Sequence, residues 1–336
     1  MSIHSQFLHI VVYPEKYRPQ LKGLVKLTSI YLPEGRRLST AENLEACASK
    51  LGLLRAMERR QILEGWVQLC DAQHNLVVSL GEFTGIIPRT EAAIGIADGS
   101  TREIAILSRV GKPVAFVVDA VENEEGVLCP ILSRRKAQEL ATDWLMDTLE
   151  PGMVIPATVT HLEPFGAFVD IGCGVPSMIG IENLSVSRIP NPGERFTVGQ
   201  EIFAAVLSVQ RDQSRVTLTH KELLGTWAEN AARFSVGMTV SGYIRGIKDY
   251  GVFIELAPNL SGLAEPRGDL REGDRVSVYI KSILPERMKI KLLVIERLSP
   301  EASPPPPRYF ITVGRLSDWR YAPPDCVKAG METVFK

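Results

Sequence analysis

The stretch PGMVIPATVTHLEPFGAFVDIG, residues 151–172, returns 85 residues later as VGMTVSGYIRGIKDYGVFIELA, residues 236–257. Aligned without a gap, Gly152 falls on Gly237, Met153 on Met238, Phe165 on Tyr250 and Phe168 on Phe253. Both copies read as strand, short turn, strand, because apolar and polar residues alternate over 154–159 and again over 168–171, with polar or glycine positions between. A glycine-led strand follows each, VGQEIFAAVLSVQ from Val198 and EGDRVSVYIKSIL from Glu272. A last strand closes each copy, RVTLTHK from Arg215 and KIKLLVI from Lys289. The later copy is shorter because it has no loop like LSVSRIPNPGERFT, residues 184–197.

A weaker copy precedes these two. ILEGWVQLCDAQHNLVVSLGEFTGIIP from Ile62, VGKPVAFVVDAV from Val110 and GVLCPILSRRK from Gly126 keep the same strand order, with LSRRK falling where LTHK falls in the middle copy. Short strands at regular spacing without a βαβ rhythm indicate small closed barrels, which leave no sheet edge open to aggregation. The expected fold is mainly β: three tandem five-stranded OB-fold barrels joined by short helices. Helix signals lie at SRRKAQELATDWLMDTL from Ser133, at THKELLGTWAENAARF from Thr219, and at STAENLEACASKLGLLRAMERRQ from Ser39. Thr219 with Glu222, and Ser39 with Glu42, have the spacing of a capping box.

These signals divide the chain into an N-terminal extension over 1–60 with a helix from about 40, a degenerate barrel over 61–136, and a linker helix over 137–149. A barrel over 150–221, a linker helix over 222–234, a barrel over 235–298 and a C-terminal segment over 299–336 complete it. SPEASPPPP, residues 299–307, reads as a stiff extended linker, and RYFITVGRLSDWRYAPP, residues 308–324, as a hairpin. Residues 1–30 carry no clear pattern.

Composition narrows the function. With 45% hydrophobic and 23% charged residues the chain has the make-up of a soluble globular protein, and 336 residues suit two or three modest domains. A net charge of −1 lacks the global positive field of a duplex-DNA binder, so nucleic-acid affinity would come from local patches and from stacking. No apolar run could cross a bilayer and the N-terminus has no secretion signal, which implies a cytoplasmic protein with no membrane partner. The five cysteines, Cys47, Cys70, Cys129, Cys173 and Cys326, are scattered without a CxxC pair, so neither a disulfide framework nor a zinc knuckle is expected. Cys70 and His74 have a spacing that would suit a metal on a helix, but they fall in a strand and turn. There is no P-loop, GxSxG or HExxH. DIGCG, residues 170–174, enters no helix and reads as a tight turn, and Glu122, Glu124 and Glu125 read as a solvated polar turn. No enzyme, no metal and no cofactor are expected.

In FGAFVDI, alternation puts Ala167, Val169 and Ile171 inside the barrel and Phe168 and Asp170 outside. Phe165 would nominally face inward, and a bulge at Gly166 would bring it to the outer surface. Tyr250, Gly251 and Phe253 repeat the arrangement, with Glu255 in the place of Asp170. Two outward rings suit single-stranded nucleic acid, since any base can stack on them for about 1–3 kcal/mol each. Cations must then hold the backbone, and Arg215, Lys221, Lys281, Lys289 and Lys291 are the candidates. The alternative is that the four rings plug barrel ends or pack on linker helices.

At these residues the pattern resembles the S1 RNA-binding domain, and over about residues 62–295 the chain resembles a short bacterial member of the ribosomal protein S1 family. The resemblance is most specific in GMVIPATVTHLEPFGAFVDIG, IENLS, VGQEI and RVTLTHKELLGTW. It implies five-stranded S1-type barrels that bind single-stranded RNA such as mRNA, in translation, through Phe165, Phe168 and Arg215 and through Tyr250, Phe253 and Lys289. The family's histidine after the third strand is replaced by Gly180 and Glu265. The first copy has no FGAF, and DAQHNLVVSL sets His74 and Asn75 where the aromatics belong, which implies docking to the ribosome or to another protein. A second possibility is a set of protein-interaction modules in an RNA-processing or transcription assembly, with weak RNA binding.

Overall fold

A computed structural model describes residues 31–124, 127–301, 303–326 and 330–336. The patternless residues 1–30 and Glu125 lie outside the described residues. Fifteen strands close into three barrels. The first holds β1 (Leu63–Cys70), β2 (Leu76–Leu80), β3 (Phe83–Ile87), β4 (Pro113–Glu124) and β5 (Val127–Ser133). The middle barrel holds β6 (Val154–Glu163), β7 (Gly166–Asp170), β8 (Pro176–Gly180), β9 (Glu201–Gln210) and β10 (Arg215–Thr219). The last holds β11 (Thr239–Lys248), β12 (Gly251–Ala257), β13 (Leu260–Ala264), β14 (Arg275–Leu284) and β15 (Lys289–Arg297).

Each barrel runs first, second, third, fifth, fourth strand and back to the first, every pair antiparallel except third with fifth. Closure needs strongly coiled strands, and each barrel meets this with an extra residue in its first strand. The register shifts between Val67 and Leu69, between Val159 and His161, and between Ile244 and Gly246. Alternation then delivers small and aliphatic side chains to a narrow interior. Ala157, Val159, Ala167, Val169, Ile179, Ala204 and Leu218 are fully buried in the middle barrel, as the pattern requires.

The helices depart from the sequence expectation in their caps. In place of one helix from Ser39 there are two, α1 (Ala41–Cys47) and α2 (Lys50–Glu58). Thr40, not Ser39, caps the first by accepting from Asn43 N, and extended Ser49 interrupts the run to cap the second. A short helix, α3 (Ile104–Leu107), lies in the first barrel's connection between β3 and β4. α4 (Arg134–Thr148) starts at its cap Ser133. Thr219 does bond Glu222, at 2.5 Å, but both side chains are buried and the chain makes only a single 3-10 turn there, over Lys221–Leu224. The capping box belongs instead to Thr226 and Glu229, ahead of α5 (Trp227–Ala231).

Two further expectations are corrected. Glu122 and Glu124 continue β4 and do not form a turn. The segment 308–324 makes no hairpin by itself: β16 (Asp318–Arg320) pairs with β17 (Glu332–Val334), outside that stretch. The C-terminal segment returns to the middle barrel, where Leu316 N donates to Gly152 O and Phe335 packs with Val154, Ala205 and Leu223.

Asp170 and Glu255 share the outer face with the rings, as alternation predicts, yet neither meets water: they are 4% and 5% exposed. Each is covered by a preceding unit. Asp170 accepts from the backbone N–H groups of Glu34 (2.7 Å), Gly172 and Gly174, while the Glu34 carboxylate takes Arg134 Nε at 2.6 Å. Burial, and then the charge of Glu34, raise the Asp170 carboxyl to about 7. Glu255 is covered by the 184–197 loop of the middle barrel, whose Arg195 reaches it at 2.7 Å. The outer carboxylates are docking points between successive units, which a single strand's pattern does not reveal.

Candidate nucleic-acid interface

Cross-strand register lays out the outer face of each barrel as a row of five residues. In the middle barrel it reads His161, Phe168, Met178, Thr217, Ser208. In the last barrel it reads Gly246, Phe253, Leu263, Lys291, Ser282. The row of the first barrel is Leu69, Val77, Ile86, Ile131, Ala120, apolar throughout. Val77, not Asn75, therefore occupies the place of Phe168, and His74 the place of Phe165. The longer turn of the first barrel shifts the register that the unaligned sequence suggested.

Glu163 pairs with Gly166, so Pro164 and Phe165 form the turn between β6 and β7. Phe165 points outward for that reason; the bulge expected at Gly166 lies instead across the hairpin in β6. Phe165 is 56% exposed and Tyr250 70% exposed, while Phe168 and Phe253 are half-buried. Phe165 stands edge-on to Phe168 with centroids 6.0 Å apart, and Tyr250 edge-on to Phe253 at 6.1 Å. The same two-ring corner is thus built twice. The glycine between the rings is required because a Cβ at Gly166 would sit 2.5 Å from Ile179 O, and one at Gly251 2.8 Å from Ala264 O. A side chain there would push the next strand away from the motif.

His161, unassigned by the sequence pattern, extends the middle corner: its ring centroid is 6.3 Å from that of Phe168, and its Nε2 lies 2.7 Å from Glu163. Only the one-residue bulge in β6 brings it into the row, and no local signal announces a bulge.

The cations divide by how far they are already engaged. Arg215, two residues before Thr217 on the outer face, is exposed and makes no ion pair among the described residues. Lys289 holds the same place in the last barrel and shares a cleft with Tyr250 and Phe253. Lys291 stands in the ring row itself, about 10 Å or two strand spacings from Phe253. Lys281 lies 3.5 Å from Glu265, an exposed pair of little energetic weight. Lys221 is held at 2.8 Å by Asn183 Oδ1, near the turn that carries Phe165, since Ile181 N donates to Phe165 O. Gly180 pairs with Gly166 at the motif's edge and presents no side chain there.

The cleft beside the last barrel's rings has a volume of about 870 Å³. Besides Tyr250, Phe253 and Lys289 it is lined by Lys248, Glu272 and Arg188, and Arg188 comes from the middle barrel's loop. Lys248 and Arg188 were not among the candidates from sequence. Lys248 precedes the Tyr250 turn, whereas Arg188 arrives from 62 positions upstream of Tyr250 and only the folded chain brings it there.

Among the described residues no group of three or more His, Cys, Asp and Glu side chains is gathered to hold a metal ion. His74 Nδ1 faces Glu103 at 3.0 Å and Cys70 Sγ donates to Asp71 O. No helix among the described residues is long and apolar enough to cross a membrane.

A closed five-stranded barrel with paired rings at the turn of its second strand defines an S1-type barrel protein, and residues 148–221 match the family described as the S1 RNA binding domain. Beyond that domain the chain is similar to the small ribosomal subunit protein bS1 of several bacteria. It is 33% identical to that protein from Leuconostoc lactis over 178 residues, 48% of this chain and 41% of the relative. Against bS1 of Staphylococcus epidermidis it is 28% identical over 290 residues, 82% of this chain and 70% of the relative. The chain therefore spans less than half of the first of these proteins. A multidomain protein with nucleic acid binding domains from Streptococcus pneumoniae matches over 71% of this chain and 74% of its own, at 14% identity and a TM-score of 0.24, too slight a likeness to bear on function.

Proposed function

We propose that the chain is a non-catalytic, cytoplasmic single-stranded RNA-binding protein whose middle and last barrels grip RNA and whose first barrel contacts a protein partner. The observation that carries this is the duplicated corner of two water-facing rings, 6.0 and 6.1 Å apart, with Arg215 and Lys289 on the same outer faces making no ion pair among the described residues. Rings so placed stack bases of any identity, and tandem weak sites gain from effective concentration. The S1 match and the bS1 relatives support mRNA or ribosome binding in translation as the setting.

The first barrel supports a different role. Its row of Leu69, Val77, Ile86, Ile131 and Ala120 offers neither ring nor cation, and Leu69 and Trp66 are each 47% exposed. Such a face suits a protein contact, on the ribosome or in an RNA-processing assembly.

The test is fluorescence-anisotropy titration of the intact chain with an unstructured, labelled oligoribonucleotide. Phe168→Ala combined with Phe253→Ala weakens binding at least tenfold, on the basis of about 1–3 kcal/mol per stacked base. Unchanged affinity refutes the RNA reading.

A further inference from the structure

The loop 184–197 of the middle barrel, which the last barrel lacks, is pinned to the last barrel just before Arg188 and again at Arg195. Val186 N donates to Asn259 Oδ1 at 2.9 Å, Ser187 N to Pro258 O at 3.0 Å, and the hydroxyls of Ser187 and Ser261 meet at 3.0 Å. Asn259 is fully buried and its amide also donates to Lys221 O and Gly225 O, so the landing point is itself rigid. Ile189, just beyond Arg188, is buried. Within residues 184–189 Arg188 alone is exposed; it makes no ion pair among the described residues and lines the cleft that holds Tyr250, Phe253 and Lys289.

The neighbouring Arg195 and Arg245 behave differently. Both are buried and neutralised by Glu255 and Glu194. A structural arginine in this interface is therefore paired, and Arg188 is not. Because the loop backbone is already held at Val186 and Ser187, no loop ordering is needed to present the guanidinium, and its planar fork matches a phosphate.

We propose that Arg188 is a phosphate-binding residue of the last barrel's ring site, so that one segment of RNA is held by two barrels at once. This rests on the RNA reading above and adds to it a composite site: bases stack on Tyr250 and Phe253 while the backbone is held from one side by Lys289 and from the other by the middle barrel's loop.

The experiment uses the full chain and a fluorescein-labelled oligouridylate. Arg188→Ala is expected to weaken binding about tenfold, the value of a charge-assisted hydrogen bond, and to reduce the salt slope by about one. Arg188→Lys recovers part of the affinity and all of the slope. Lys50→Ala, at an exposed cation of the helix α2 that precedes the first barrel, controls for net charge and leaves affinity unchanged. In a double-mutant cycle Arg188→Ala and Tyr250→Ala couple by at least about twofold if they share one bound segment. An Arg188→Ala effect no larger than that of Lys50→Ala, or strict additivity with Tyr250→Ala, overturns the composite site. If the ring variants themselves bind normally, the RNA reading fails instead, so the two failures are distinguishable.

Discussion

Arg195 and Glu255 belong to different barrels, lie 60 residues apart in sequence, and meet at 2.7 Å with side chains 6% and 5% exposed. Glu255 also binds Arg245 at 2.7 Å, and Arg245 in turn binds Glu194. Two guanidinium groups thus share two carboxylates, with Glu255 and both arginine side chains out of water and Glu194 at the edge of the cluster; at the buried centre an unpaired charge is costly and a paired one roughly neutral.

Removal of the central carboxylate is therefore the damaging change. Glu255→Ala leaves two buried arginines with only Glu194 and is expected to cost about 3–5 kcal/mol, whereas Arg195→Ala leaves Glu255 still paired with Arg245 and costs less. Urea unfolding of both variants gives the comparison. Equal losses would mean that Arg245 does not hold Glu255 on its own.

The ring corner and the barrel interior sit on alternate residues and give opposite phenotypes. Tyr250→Ala, at a side chain 70% exposed, is expected to change stability by no more than about 0.5 kcal/mol while lowering RNA affinity. Val252→Ala, at a fully buried position two residues on, is expected to cost about 2 kcal/mol and to leave the affinity of the folded chain intact. Paired melting and binding curves separate them. A large melting shift for Tyr250→Ala would make that ring a packing element.

Three barrels were legible because a five-strand pattern recurs with its glycines in place, and alternation correctly sorted Ala167 and Val169 from Phe168. Local pattern cannot carry what depends on the neighbouring unit. Asp170 looks solvated until the 31–38 segment lies on it, Arg188 is an ordinary loop residue until its loop lands on Asn259, and His161 enters the ring row only through a bulge. The caps failed for a related reason: Ser39 and Thr219 have acceptable spacing, but Thr40, Ser49 and Thr226 have the extended backbone that a cap requires.

His220 gives the middle barrel an acid-sensitive point. The ring is buried, donates from Nδ1 to Leu184 O at 2.9 Å and accepts at Nε2 from the Tyr309 hydroxyl at 3.0 Å, so that the C-terminal segment is tied to a neutral imidazole. Burial lowers its pKa to about 4 from 6.5. Between these values the unfolded chain binds the proton and the folded chain does not. The contribution is therefore complete above pH 6.5 and is lost as pH falls toward 4, amounting to about 3 kcal/mol in all. Relative to His220→Gln, the wild-type chain should lose stability across that window when urea midpoints are followed against pH. Parallel pH profiles for the two proteins would show that His220 takes up its proton alike in the folded and the unfolded chain.

Gly152 and Gly237 open the first strand of successive barrels with the same backbone, φ +86° and +91°, and make the same bond, to Val206 O at 2.8 Å and to Ile280 O at 2.9 Å. Alanine at either position meets left-handed strain of about 1–2 kcal/mol. Their surroundings differ. A Cβ at Gly237 would have only the Tyr279 hydroxyl near it, at 3.9 Å, whereas one at Gly152 would lie 1.9 Å from Leu316 O in the C-terminal segment. Gly237→Ala is thus expected to cost the strain alone. Gly152→Ala must in addition displace Leu316, whose N–H bonds Gly152 O, and with it the packing of Phe335 on Val154 and Leu223. Under native conditions the Gly152 variant, and not the Gly237 variant, should be cut by protease within residues 308–336. Equal resistance of the two would mean that the C-terminal segment is held independently of the Gly152 turn.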